Sequence, residues 1–378
     1  MRDIDKVEVY FASEHVGTMA QIDSRRTAFQ YAPSWIENGF SISPISLPLE
    51  NRLFIAAPEP FDGLFGVFND SLPDGWGRLI TDRHLRKHGI DPNLVTPLTR
   101  LSILTPERTG NLHYEPSNGT RVDLKSPDLD ALYNETKEIL LDKDSGKYID
   151  ELFIIGSSSN GARPKIGIQM EGSSWIVKFP SVYDPKNMGK MEYDYNRTAR
   201  ECGIDVPDFK LLESNLCNGF FASKRFDRTP NGKVHMVSTS GLLETSHRIP
   251  AMDYRHLFKL SRLLSNDTNE LQRVFDLMCF NVISHNQDDH SKNFSFLYDA
   301  DQRVWRLSPA YDLTYSATTW NEQSTTVNGK GKAITIQDLV DLGTQNGLNP
   351  NKLAQRANEI QEIVTANLSD YLQQGSVK

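Results

Sequence analysis

Apolar positions alternate with polar ones at Val7, Val9 and Phe11, the period of a half-buried strand, and residues 13–17 read as the turn that follows. Before residue 118 only one stretch has a clear helical period. Trp76, Leu79, Ile80 and Leu85 share a face, and Gly89 stands where a C-terminal cap belongs. This region is therefore expected to be β-rich with one clear helix, ending in the loop chemistry of Pro116-Ser117-Asn118-Gly119. Residues 128–141 predict a helix, and residues 142–147 a polar connector. Residues 151–230 read as alternating strands and turns: an apolar run over 152–155, strands over 165–170, 175–179 and 220–226, and a helix over 191–201. The last third reads as mostly helical. Asp267 and Glu270 stand as N-cap and N3 of a helix with Leu271, Val274, Phe275, Met278 and Val282 on one face. Thr335 and Asp338 repeat the start signal, and Leu353, Ala357, Ile360, Val364, Leu368 and Tyr371 form a final stripe. The pattern predicts an α+β, two-lobed chain with a β-rich first lobe, a mainly helical second lobe and a cleft between them.

Composition narrows the function classes. The 378 residues carry 41 Lys plus Arg against 49 Asp plus Glu, a net charge of −8, which disfavours coating nucleic acid by charge alone. No run approaches the roughly 18 apolar residues of a membrane span, and the start lacks a signal-peptide core. Cys202, Cys217 and Cys279 are scattered with no CxxC, which argues against a disulfide scaffold or a cysteine zinc site and for a cytoplasmic setting.

The densest chemistry lies in His285-Asn286-Gln287-Asp288-Asp289-His290-Ser291-Lys292-Asn293, directly after the apolar helix. A hairpin pattern follows, with strands over 294–298 and 304–307 and a turn at 299–302. A hairpin returns the chain to where it left, so Asn293 and Asp312 are expected close together, as oxygen ligands for a hard cation such as Mg²⁺. Asp288 precedes Asn293 by the interval that separates base and metal-binding Asn in kinase loops. Asp289 is either a second carboxylate or a loop-stabilising acceptor. His285 and His290 are candidates for loop packing or phosphate contact, with metal ligation the alternative.

A small-residue loop, Gly156-Ser157-Ser158-Ser159-Asn160-Gly161-Ala162-Arg163-Pro164-Lys165, joins two expected strands. Ala162-Arg163 replaces the Lys-Ser/Thr of a Walker loop, and no helix pattern follows, so a P-loop is rejected. A lid over nucleotide phosphates fits better, because small residues let backbone N–H groups approach an anion. Lys178, a charge inside an apolar strand, stands where a kinase places its phosphate-contacting lysine, with Glu192 as a candidate partner.

Together these residues resemble the HipA family of bacterial serine/threonine kinase toxins from toxin–antitoxin modules. The matching stretches are residues 156–165, 175–180, 192–207, 224–228, 288–296 and 307–313, with weaker matches at 71–75 and 110–116. The resemblance implies three parts: a HipA-like N-terminal subdomain at 1–118, an ATP-binding N-lobe at 119–230, and a helical C-lobe with the catalytic loop at 231–378. It makes Asp288 the catalytic base and Asn293 and Asp312 the Mg²⁺ ligands. Ser157, Ser158, Ser159, Gly161, Lys165, Lys178 and His290 become ATP contacts, and Lys224 and Phe226 the hinge beside adenine. Ser158 becomes an autophosphorylation site that switches the enzyme off. The implied substrate is a hydroxyl of a translation factor or aminoacyl-tRNA synthetase. The implied partner is a small helix-turn-helix antitoxin of HipB type, through which alone operator DNA would be met. Two rivals remain: a metal-dependent phosphohydrolase using His285, Asp288, Asp289 and His290, and a catalytically silent kinase fold serving as a co-repressor module.

Overall fold

The computed structural model describes residues 4–105, 108–117, 127–141, 148–157, 161–265, 267–318 and 320–375. They form two compact units. The first comprises residues 1–189, 210–237 and 241–244, and the second residues 190–209, 238–240 and 245–378.

The first unit holds two larger sheets and a short two-stranded one, Arg228–Thr229 against Gly232–Lys233. Strands β1 (Lys6–Phe11), β2 (Glu14–Asp23), β3 (Arg26–Tyr31), β4 (Phe54–Ile55) and β5 (Leu112–Glu115) pair antiparallel in the order β4-β3-β2-β1-β5. Val7 and Val9 are fully buried, as their alternation requires. The expected turn at 13–17 is shorter than that. Phe11 already pairs with Glu14, and a register shift after Val9 brings Gly17 into the ladder. The predicted helix is present as Gly75–Lys87. Short helices at Pro33–Asn38, Gly66–Asn69 and Pro97–Ser102 accompany it, too brief to show a period in sequence.

The second sheet contains β6 (Lys165–Met170), β7 (Ser173–Lys178), β8 (Phe209–Leu212) and β9 (Phe220–Lys224), in the order β6-β7-β9-β8. Glu171 and Gly172 both lie at positive φ, the geometry of a tight two-residue hairpin, so the turn is shorter than 171–174. Ile166, Trp175, Val177 and Ala222 on this sheet share a core with Trp76, Ile80, Leu132, Tyr133, Leu152 and Phe153. The last six come from three helices: Gly75–Lys87, Leu129–Leu140 and Ile149–Gly156. The third of these corrects the sequence reading. The apolar run at 152–155 is helical, because Ile149, Leu152, Phe153 and Ile155 are all buried in that core.

The second unit is mainly helical. Tyr254–Ser265, Thr268–Ile283, Ile336–Gln345 and Pro350–Gly375 are its main helices, and Leu353, Ala357, Ile360, Val364 and Leu368 are buried as one stripe. Thr335 and Asp338 close a full capping box. The box expected at Asp267 is only half made. Asp267 caps Asn269 N–H, but the buried Glu270 carboxylate instead accepts Leu307 N–H at 2.7 Å and Arg273 at 2.9 Å, fixing the helix to the later hairpin.

Candidate active site

In the second unit the Thr268–Ile283 helix delivers the chain into residues 284–293, whose backbone is held from several sides. Asp288 N–H donates to Ser316 Oγ at 2.9 Å, Ser324 N–H to Gln287 O at 2.9 Å, and Gln287 Nε2 to Asn321 Oδ1 at 2.7 Å. The Asp288 side chain itself is 65% exposed. Its neighbour is the opposite case. Asp289 is fully buried and accepts from Tyr254 OH at 2.7 Å, Gln323 Nε2 at 3.1 Å and Thr325 N–H at 3.0 Å. Burial pushes its carboxyl up to about 8 despite these donors. Asp289 is thus the anchor beneath the loop, and Asp288 the carboxylate presented above it. A hydrolase site needing both at the substrate is not built here.

Asn293 donates its amide to Asp288 O at 2.7 Å, which turns the amide into an oxygen ligand for anything else. His290 accepts Lys292 N–H on Nδ1, leaving Nε2 to carry the proton, 4.0 Å from Asp288 Oδ1. His285, at positive φ, is exposed at the head of the loop. The expected hairpin is present as Ser295–Asp299 against Val304–Leu307, with Phe296 opposite Leu307. Beyond it, Tyr311 OH donates to Lys292 O and accepts from Ser295 Oγ, both at 2.6 Å. Asp312 and Asn293 are therefore each next in sequence to one end of a hydrogen bond. Asp312 has φ of +59°, a left-handed conformation uncommon outside glycine that asparagine and aspartate tolerate best, and its neighbour Tyr311 is pinned.

In the first unit the small-residue loop starts at the end of the Ile149–Gly156 helix rather than at a strand. Ser157 is buried; Ser158 and Ser159 lie outside the described residues. Gly161 N–H donates to the Asp74 carboxylate, and Trp76 N–H donates back to Gly161 O at 3.0 Å. Gly75 lets the two backbones meet, since a Cβ there would come within 2.6 Å of Gly161 O. The Arg163 guanidinium is engaged by Asp184 at 3.0 Å. Lys165, buried, and Lys178, half-buried, are register partners on β6 and β7. Lys178 is also opposite Phe221, whereas Lys224 is opposite Trp175 and so belongs to the other face. Lys224 ends β9, and the half-buried Phe226 lies two residues beyond it. Glu192 is buried within the second unit.

Two family models match this chain: the HipA N-terminal domain over residues 7–115 and the HipA-like C-terminal domain over residues 157–368. The chain belongs to the HipA family. Two Sinorhizobium fredii proteins provisionally named as kinases, Y4dM and Y4mE, are similar to it. Y4dM is 27% identical, over 83% of this chain and 78% of its own length. Y4mE is 24% identical, over 88% and 82%. A chain of the Shewanella oneidensis MR-1 toxin–antitoxin complex of HipA, HipB and operator DNA shares the fold. Its TM-score is 0.70 at 17% identity, with coverage of 97% of this chain and 91% of that one. The α+β, kinase-like HipA architecture expected from sequence is the one observed.

Within this HipA chain, some site-supporting residues escaped the sequence reading. Asp74 lies in the weak match at 71–75, but the sequence assigned it no role, being 87 positions from its partner Gly161. Tyr254 and Gln323 converge on Asp289 from both directions along the chain, with no motif to announce them. Among the described residues no helix is long and apolar enough to cross a membrane.

Proposed function

We propose that this protein is a HipA-type serine/threonine kinase toxin of a type II toxin–antitoxin module, acting in the cytoplasm. It transfers the ATP γ-phosphate to a protein hydroxyl, on a translation factor or an aminoacyl-tRNA synthetase. The observation that carries this reading is the contrast at 288–289: one carboxylate exposed on a loop whose backbone is fixed by its buried neighbour. An exposed, positioned carboxylate suits acceptance of a hydroxyl proton as the nucleophile attacks.

Asn293 and Asp312 would hold Mg²⁺. Their donor set fits a hard cation, because the Asn293 amide nitrogen is already spent on Asp288 O and offers its oxygen, beside a carboxylate. Bound there, Mg²⁺ supplies neutralisation of phosphate charge. On the first unit, Lys165 and Lys178 would receive phosphate oxygens, with Ser157, Ser158, Ser159 and Gly161 lining the loop. His290, protonated on Nε2, can donate to a phosphate oxygen. Lys224 and Phe226 would border adenine.

Ser158 is the proposed off-switch. A phosphoserine adds about −1.5 to −2 charge at neutral pH, which repels nucleotide phosphates and favours an expelled loop. The proposed partner is a small helix-turn-helix antitoxin that carries the complex to operator DNA. That role is consistent with this chain's acidic balance and with the assembly named for the Shewanella relative.

The test is incubation with γ-labelled ATP and Mg²⁺, followed by mass spectrometry of the chain. Wild type should acquire phosphate on Ser158, and Asp288→Asn should retain ATP binding but transfer at least about a hundredfold more slowly. Transfer at the wild-type rate in Asp288→Asn removes Asp288 as base. A wild-type chain that binds ATP but never transfers phosphate to itself or to protein supports the co-repressor reading instead.

A further inference from the structure

His84 lies in the last turn of the Gly75–Lys87 helix and His88, one turn on, is its C-cap, while Asp150 stands in the first turn of the Ile149–Gly156 helix that packs beside it. Each offers a ligand atom, and these atoms all lie within 4.8 Å of one another. His spacing of i, i+4 puts both imidazoles on one helix face, the arrangement helical zinc sites use.

The surroundings are those of a metal site. His88 donates Nδ1–H to His84 O at 2.9 Å, which fixes the tautomer and leaves Nε2 as a lone pair. The His84 ring lies flat on Phe153, with centroids 4.0 Å apart and planes 4° from parallel, so its orientation is set by packing. Its Nδ1 shares a proton with Asp150 Oδ1 at 2.9 Å. Partial burial holds the His84 imidazole below its ordinary range, so it is neutral near pH 7. One group competes: the Lys87 ammonium sits 2.7 Å from Asp150 Oδ2.

We infer that His84, His88 and Asp150 form a site for a borderline divalent cation, Zn²⁺ foremost, bridging two helices of the first unit. Two imidazoles and a carboxylate match the preference of Zn²⁺ and leave a fourth position for water. On binding, the single ring proton of His84 moves from Nδ1 to Nε2, so that Nδ1 offers its lone pair and no ring proton is lost, and Lys87, still protonated, gives up the carboxylate. The site is independent of the catalytic proposal, but its place gives it reach. One bridged helix ends at Gly156, where the small-residue loop begins. The other begins at Gly75-Trp76, which bonds the loop's far end at Gly161. Metal would tie together the two helices that flank the loop.

The experiment uses the untagged full chain, stripped with chelator and titrated with Zn²⁺ by calorimetry, with Co²⁺ as a spectroscopic probe. Wild type should bind a single Zn²⁺ with rising thermal stability, and Co²⁺ should give the intense visible bands of a tetrahedral site. His88→Gln, an exposed change that should leave the metal-free melting temperature unmoved, should weaken binding by about tenfold or more. Lys87→Met should strengthen it, because the competing cation is gone. Zn²⁺ affinity unchanged in His88→Gln, or weakened in Lys87→Met, would overturn the assignment, as would a weak octahedral Co²⁺ spectrum.

Discussion

Lys165 and Lys178 face each other across adjacent antiparallel strands, so both ammonium-bearing side chains leave the same face of the sheet. Like charges directly opposite one another are destabilising by roughly 0.2–1 kcal/mol, and more where one is buried, as Lys165 is. An anion bound on that face offsets the repulsion. Lys178→Met should therefore bind ATP at least about tenfold more weakly, as expected for a lost charge-assisted contact. Calorimetric titration measures this directly. Unchanged ATP affinity would falsify the phosphate role of this face.

Asp312 and Asp299 test the metal assignment against each other. Asp299 caps the hairpin turn by accepting Asp301 and Gln302 N–H at 3.1 and 3.0 Å. Asp312→Ala should abolish the Mg²⁺ dependence of ATP binding, whereas Asp299→Ala should cost only local stability, about 1 kcal/mol. Comparable loss of Mg²⁺ dependence in both variants would dismiss Asp312 as a ligand.

Asp74 should matter to nucleotide binding without touching nucleotide. Asp74→Ala removes the acceptor for Gly161 N–H, a charge-assisted bond of about 1.5–3 kcal/mol. Faster hydrogen exchange at Gly161 and Ala162 is expected, with weaker ATP binding and an otherwise intact first unit. If exchange there stays slow, the Asp74 contact does not hold the loop.

His235 sets a limit at acid pH. It is buried, bonds Ile42 O at 2.9 Å, and lies against Phe11 and Phe40, and burial lowers it to about 4. Unfolded, it titrates near 6.5, so below that pH the unfolded chain takes up a proton the folded chain refuses. Its contribution is intact above about 6.5 and falls steadily to about 4, costing about 3 kcal/mol in all. His235→Gln should lose stability less steeply over this window in denaturant titrations, and parallel curves would assign the acid sensitivity elsewhere.

The contrast between what was legible and what was not follows sequence distance. The hairpin after Asn293 could be read because its strands, turn and apolar alternation lie within a dozen or so residues. The Ile149–Gly156 helix could not, because Leu152-Phe153-Ile154-Ile155 is equally a buried strand or a buried helix, and the choice is made by Trp76, Leu132 and the sheet. Asp288 and Asp289 look identical in sequence. What separates the exposed carboxylate from the buried anchor is Tyr254, Gln323 and Thr325, each over 30 residues away. Glu270 likewise left its expected capping role because a hairpin 37 residues on supplied a buried N–H.

The core of the first unit ignores the border between the two family matches. Trp76 and Ile80 lie inside the N-terminal match, yet they pack with Ile166, Trp175 and Val177 of the C-terminal one. Scissors placed between the matches would therefore strip a hydrophobic face bare and leave Gly161 without its fastening. Expressed separately, the C-terminal piece should be sticky and poorly soluble. Gene fusions or fragment libraries that treat the N-terminal match as a detachable module would fail for that reason, and mutations at Trp76 would spread their damage into a sheet nearly a hundred residues downstream.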